Sequence, residues 1–433
     1  MTDQQRLQKA TRNLFFFTGG EFIGTIGAHI YMFGISFFVL TLTGSASSFA
    51  LTFLCSMVPR IILAPIAGHI VDRLPRKQVV VTSHALMTAT MLLVFIYTLS
   101  FGLSLPVIYI TAVLIAIFAT FAGIGLTASV ASFVDGARIQ RAISLTQSSN
   151  SLASILGPVL GGVMYGFLSI EMFFLIHAIA YATALICEIN INFSLYKKES
   201  TSQDEEGQKD EPLLASLKAG AVYVKGHRVL LPIMLVALWV NFFFMAAVVG
   251  LPYVIIEVLG ATSNQLGLVE SMIGLGTLAL SVYLSTRKEF QKPIRTMRFG
   301  MISIGFLFAL LALPLLIPMG SPAFIAYYMA VNFLFGAAMI IINTPIQVLM
   351  QKTTPEHYRG RVFGLLEMVA SGISPIGLIL FGFLYDIASP ALIILITAGL
   401  LIAVTVMGLR PSKVDDEAAE EVAEEKAVKI AEA

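Results

Sequence analysis

Residues 46–77 read ASSFALTFLCSMVPRIILAPIAGHIVDRLPRK. The first twenty-six of them, 46–71, carry a single charge, Arg60, while the six-residue DRLPRK that follows carries four. A helix needs ~20 mainly apolar residues to cross ~30 Å of hydrocarbon, so 46–71 is long enough to span a bilayer. The DRLPRK turn belongs in water, and from residue 78 the chain is apolar again. Span, charged turn and next span set the pattern for everything on either side.

Extended outward, the pattern predicts an all-α integral membrane protein with twelve transmembrane helices, at 13–41, 46–71, 78–101, 106–134, 143–167, 171–194, 228–257, 264–286, 296–318, 323–350, 361–386 and 389–409. The composition agrees: 57% of the 433 residues are hydrophobic and 12% are charged, against about 25% charged in ordinary soluble domains. Continuous apolar runs exclude the alternating ~10-residue strands of a membrane β-barrel. Arg6, Lys9 and Arg12 precede the first run as in a secretory leader. That run, however, extends to about residue 42, beyond the ~7–15 residues of a leader's apolar core, and no A-x-A site follows. It is read as the first retained span.

Basic residues sort by loop, as positive-inside topology requires. With the N-terminus inside, the inner segments hold Arg6, Lys9 and Arg12; Arg73, Arg76 and Lys77; Arg138 and Arg141; Lys197, Lys198, Lys209, Lys218, Lys225 and Arg228; Arg287, Lys288, Lys292, Arg295 and Arg298; Lys352, Arg359 and Arg361; and Arg410, Lys413, Lys426 and Lys429. That is 26 of 27 Lys and Arg, and the exception is Arg60 inside the second span. One span more or fewer would scramble this alternation.

The only long polar stretch between spans, 196–226, falls after the sixth and contains KKES and QDEEGQKDE, a composition that cannot bury a core. The expected organisation is a six-helix bundle at 1–195, a central loop at 196–226, a second six-helix bundle at 227–410 and an acidic tail at 411–433. Two pseudo-symmetric halves with a site between them are a transporter arrangement. Cys55 and Cys187 lie far apart in apolar segments with no CxxC or metal spacing, so neither a disulfide nor a metal is expected.

The turn after the second span, Gly68-His-Ile-Val-Asp72-Arg73-Leu-Pro-Arg76-Lys77, resembles the G-x-x-x-D-R-x-G-R-R/K loop of the major facilitator superfamily, with Pro75 at the second glycine position. In span 5, Gly157-Pro158-Val-Leu-Gly161-Gly162 is similar to the G-P-x-x-G-G element of exporters in that superfamily. Thr-Gly44-Ser45-Ala46, Val58-Pro59, Ala64-Pro65 and Arg359-Gly-Arg361-Val-Phe363 resemble the drug/proton antiporter branch that holds bacterial macrolide efflux proteins and a siderophore exporter. The resemblance implies a gate loop in which Gly68 allows close helix packing and Asp72, Arg73, Arg76 and Lys77 pack against Asp135 at the end of span 4 and the opening of span 11. It also implies that spans 1, 4, 7 and 10 line a central path and that spans 2, 5, 8 and 11 meet between the halves.

Ionisable side chains inside a bilayer cost several kcal/mol unless a partner tames them, which makes each a functional candidate. Glu21, Arg60, Glu270 and Glu367 are the candidates. Glu21 and Glu367 are expected to bind protons, with Arg60 as counter-charge, since a carboxylate beside Arg stays ionised and one that loses Arg or water does not. Glu188, near the end of span 6, is expected to reach the surface, and His29, His84 and His177 are read as satisfied helix residues. Gln147, Asn150, Trp239, Asn241, Asn332, Asn343 and Gln347 are candidates for lining a substrate cavity; aromatic and methionine side chains with few polar groups suit an amphipathic organic compound.

The function expected is proton-coupled export of amphipathic organic compounds, of multidrug or macrolide type, by alternating access, with export or flipping of a lipid or siderophore-like metabolite as the alternative. The expected setting is a monomer in a bacterial plasma membrane, multi-pass, both termini cytoplasmic. Its partners are a small molecule, protons and lipid, with no nucleic acid and no cofactor. No HExxH, GxSxG or Walker loop is present to suggest an enzyme or ATP drive, and no filter pattern suggests a channel.

Overall fold

A computed structural model describes residues 3–196, 221–227, 230–287, 290, 292–354, 362, 364–366, 368–369 and 372–409. Every predicted span is met by helix. In chain order these are α1 (Asp3–Thr43), α2 (Ala46–Arg73), α3 (Arg76–Phe101), α4 (Leu105–Phe133), α5 (Gly136–Phe167), α6 (Ile170–Ile189), α7 (Leu230–Tyr253), α8 (Ser263–Ser285), α9 (Pro293–Leu310), α10 (Ser321–Thr353), α11 (Ser374–Ile387) and α12 (Pro390–Gly408). Ten are long and apolar enough to cross a membrane. Of the other two, α5 is long but polar in its first half, and α11 is short as described. Helices suit a bilayer because they satisfy their own backbone polar groups where no water can.

The chain forms two compact units. The first comprises Met1–Gly44, Ser48–Lys209 and Gly260–Ser271; the second comprises Ser45–Ser47, Asp210–Leu259 and Met272–Ala433. The segments 197–220 and 410–433, which include most of the expected central loop and the tail, lie outside the described residues.

In the first unit α1 packs on α5 and α6, and α3 packs on α4 and α6. Small residues govern how closely. Gly20, Gly27 and Gly34 recur every seven residues along α1, and Cys187, Ala180 and Phe173 recur every seven, in the opposite direction, along α6. A Cβ at Gly20 would lie 3.0 Å from that of Cys187, one at Gly27 would lie 2.5 Å from that of Ala180, and one at Gly34 would enter the Phe173 ring. Such stripes let backbones approach where lipid supplies no hydrophobic drive. The outward faces are apolar: on α3, Leu93, Ile96, Leu99 and Phe101 are exposed while Val80, Met87 and Met91 are buried.

In the second unit α9 shows how a proline break is repaired. Pro314 has no N–H to give to the Leu310 carbonyl, and the helix tightens, with Leu311 N–H bonding Phe308 O at 3.0 Å. Tyr327 Oη donates to Leu310 O at 2.8 Å, and Tyr328 Oη to Leu311 O at 2.9 Å, so both stranded carbonyls are taken by α10. Past Pro252, α7 continues as a π-helical turn, Val254–Val258. Gly260, with φ +67°, then takes the left-handed conformation that reverses the chain.

Candidate functional site

The α5 element of close-packed glycines lies wholly against neighbours in the first unit. A Cβ at Gly157 would run into that of His29 on α1, and one at Gly161 would lie 2.9 Å from the Phe33 ring. One at Gly162 would lie 2.6 Å from the carbonyl oxygen of Ser263, the first residue of α8, and Gly267 offers its bare Cα to the Pro158 carbonyl. Ser263 Oγ donates to Gly162 O at 3.1 Å. Each glycine of the element is therefore a point of contact, and Pro158, inside the same helix, has no N–H to give to its ladder.

Gly68 behaves otherwise: among the described residues a Cβ there would meet no atom within 4 Å. The close approach expected at that glycine is made by Gly125 on α4, where a Cβ would lie 2.8 Å from Val80 Cγ2. The remaining turn residues hold other helices by their ends. Arg76 donates to Ala128 O near the end of α4 at 2.7 Å. Lys77 Nζ donates to Ile189 O at 2.7 Å and Ile191 O at 3.0 Å, placing a cation at the carbonyl end of α6 where the helix dipole favours it. Arg73 is exposed, and Asp135 pairs with Arg138 at 2.6 Å in the next turn of chain. The side chain of Asp72 and residues 355–361 lie outside what is described.

Of the cavity candidates, Gln147 and Asn150 on α5, Trp239 on α7, and Asn343 and Gln347 on α10 are exposed, and Asn241 is half-buried with its amide bonded to Ala237 O at 2.9 Å. Asn332 lies on nearly the same face of α10 as Asn343, eleven residues away. It differs from the expectation: it is 3% exposed and its amide is spent on Tyr328 O at 2.9 Å, because α10 is packed shut at that level.

The charges sort in a way their spacing along the chain did not announce. Arg60 is exposed on α2 and makes no ion pair among the described residues. Glu367 lies outside them, and Glu270 is half-buried on α8. Glu21 is half-buried on α1, and its electrostatic neighbours are Glu188 and His84. Glu188 does not reach the surface as expected: it is 4% exposed, with Oε2 2.9 Å from His84 Nδ1, and His84 also bonds the Val80 backbone one turn back on α3. His177 is buried between the rings of Tyr31 and Tyr181 with neither nitrogen bonded among the described residues, so it is not the satisfied residue its helical setting suggested.

Two further polar residues went unnoticed in the sequence. Asn13, fully buried, ties α1 to the ends of two other helices: it donates to Phe133 O at 2.9 Å and Asn192 O at 3.3 Å and accepts from Asn192 N at 3.2 Å. In the second unit Asp386 accepts from Ser45 Oγ at 2.9 Å and from the Ala46 and Ser47 amides at 2.6 and 3.1 Å. The signal for Asn13 was a lone amide one residue inside an apolar run; the signal for Asp386 was a lone carboxylate at the end of one. No three His, Cys, Asp or Glu among the described residues gather as metal ligands, and both cysteines are free.

Comparison with known proteins places this arrangement. The model of the Major Facilitator Superfamily matches residues 17–377. The multidrug efflux pump Tap of Mycolicibacterium fortuitum is 26% identical over 370 residues, 84% of this chain and 86% of that protein. Macrolide efflux protein A of Streptococcus pyogenes is 22% identical over 363 residues, 83% of this chain and 86% of that protein. Among solved structures, a bacterial homologue of the iron transporter ferroportin, in an inward-facing state, superposes with a TM-score of 0.70 at 16% identity, over 92% of this chain and 98% of that one, a likeness of fold.

Proposed function

Because the chain belongs to the Major Facilitator Superfamily, and so is a multi-pass membrane transporter of small molecules, we propose that it exports amphipathic organic compounds in exchange for protons. The observation that carries this reading is the span of its relatives: two efflux pumps align over more than four-fifths of both partners. The glycine–proline element of α5, with every glycine engaged, supports it from within the fold. The exposed Gln147, Asn150, Trp239, Asn343 and Gln347 supply the few polar and aromatic contacts that an amphipathic cargo uses.

In this reading the chain is a monomer in a bacterial plasma membrane, with halves at 1–195 and 227–410 joined by the 196–226 loop and with both termini in the cytoplasm, as the ledger of basic residues supports. Embedded acids, Glu21 first and Glu367 with it, carry the coupling proton.

The test is expression in a drug-sensitive bacterial host challenged with macrolides, dyes and lipophilic cations. Resistance to several amphipathic compounds that collapses with a protonophore is the expected result. Unchanged sensitivity to all of them, with altered lipid or iron-chelate release, overturns it in favour of a metabolite exporter.

A further inference from the structure

We infer that Glu21, His84 and Glu188 together form a proton-binding site inside the first unit, on α1, α3 and α6. The inference rests on the proton-driven reading above.

Two closely packed helices create the site. Gly20 lets α1 approach the backbone of α6 at Ala184 and Cys187, and the residues next in sequence, Glu21 and Glu188, are thereby brought to the same level of the bundle. α3 adds His84, whose Nδ1 is 2.9 Å from Glu188 Oε2, with side chains 13% and 5% exposed. The other titratable groups around them are few. α6 brings Cys187, Tyr181, whose ring centre is 6.0 Å from that of His84, and His177 beyond it. α3 brings Lys77, seven residues or ~10.5 Å along the helix, already engaged with α6 carbonyls. α1 brings His29 two turns on, packed against α5. α4 has no ionisable group but Tyr109, near its first turn, and the arginines of α5, Arg138 and Arg141, lie in its opening turns. Among the described residues no arginine or lysine pairs with either carboxylate.

Charge counting then fixes what the cluster does. With one proton, on the imidazole, the group is an imidazolium facing two carboxylates and is net negative in a dry place. A second proton, taken by a carboxylate, makes it neutral. Burial penalises net charge, so the second proton is held while the cluster is dry and released when water reaches it. The two protons belong to the group rather than to single residues. Glu188 is the second-last residue of α6, and beyond it Ile189 and Asn190 are exposed, so water and protons arrive from that end of the bundle.

The test uses the full chain in proteoliposomes with ethidium as the probe, comparing accumulation driven by a pH gradient with gradient-free counterflow. Glu188→Gln and Glu21→Gln are expected to lose gradient-driven accumulation while counterflow falls far less. Gradient-driven transport that survives in both overturns the site. Wild-type transport indifferent to the gradient takes down the proton-driven reading itself, and the site with it. Glu188→Asp keeps a carboxylate and guards against misfolding: it is expected to shift the pH midpoint of proton release on ethidium binding in lightly buffered detergent solution, and an unmoved midpoint overturns the proposal even if the glutamine variants do not fold.

Discussion

Gly162→Ala tests whether the α5 element works by contact. The added methyl would lie 2.6 Å from the Ser263 carbonyl oxygen and 3.2 Å from its carbon. Carbon and carbonyl oxygen settle at about 3.3 Å or more, so about 0.7 Å has to be found, and backbone cannot rotate out of the way. Overpacking of this kind costs about 1–3 kcal/mol. A shift large enough to relieve it also weakens the 3.1 Å bond from Ser263 Oγ to Gly162 O, worth about 1 kcal/mol. Against this, Gly→Ala inside a helix gains about 0.5–1 kcal/mol, leaving a net loss of about 1–3 kcal/mol. Gly19→Ala is the internal control: nothing lies within 4 Å of its Cβ, so only the gain remains. Thermal melting of the purified proteins, with hydrogen exchange read over residues 263–267, should rank Gly19→Ala at or above wild type and Gly162→Ala below it. A Gly162→Ala protein that melts with Gly19→Ala, its exchange at 263–267 unchanged, would refute the contact account of the element.

Asn13→Ala removes three hydrogen bonds, one buried and two part-buried, at about 0.5–1.5 kcal/mol each, so a loss of about 1.5–4.5 kcal/mol in unfolding free energy is expected, with faster exchange at the Asn192 amide. Asp386→Ala should cost about 1 kcal/mol, as loss of a helix N-cap does, and should speed exchange at the Ala46 and Ser47 amides; Asp386→Asn, still an acceptor, should retain most of the protection. Tyr328→Phe leaves the Leu311 carbonyl without its donor and should destabilise by about 1–3 kcal/mol, whereas the same change at the half-buried Tyr327, whose bond to Leu310 O is exposed, should cost less because water can replace the phenol.

The spans were legible because a bilayer demands length and apolarity, both of which sit in contiguous sequence. Their ends were less so. α1 starts at Asp3 rather than near 13 and α5 at Gly136 rather than 143, since counting apolar residues stops where polarity begins, whereas backbone hydrogen bonding runs on through QQRLQKATRN and GARIQRA. The α5 glycines were legible as a motif, yet what each touches was not. Gly68 misled because a glycine in a pattern does not reveal whether anything faces it. His84 and Glu188, 104 positions apart on different helices, each looked incidental; their pairing follows from the packing of α3 on α6, which no local pattern reports. For the approach of α1, with Glu21, to that same helix, the step of seven from Gly20 to Gly34 was the cue available.

That seven-residue step has a mechanical meaning. Sliding α6 along α1 by one residue, ~1.5 Å, takes each glycine away from the side chain it accommodates and drives Ala180 and Phe173 against neighbours that have a Cβ. The next register in which glycine again faces its partner is seven residues away, ~10.5 Å. The two helices are keyed together like a spline in its slot, and any rearrangement of the first unit carries them as one piece. In the proton site proposed above, the spacing between Glu21 and Glu188 is then a constant of the transport cycle. What changes for that pair in the proposal is wetness, so that a proton is gained or lost there through hydration alone.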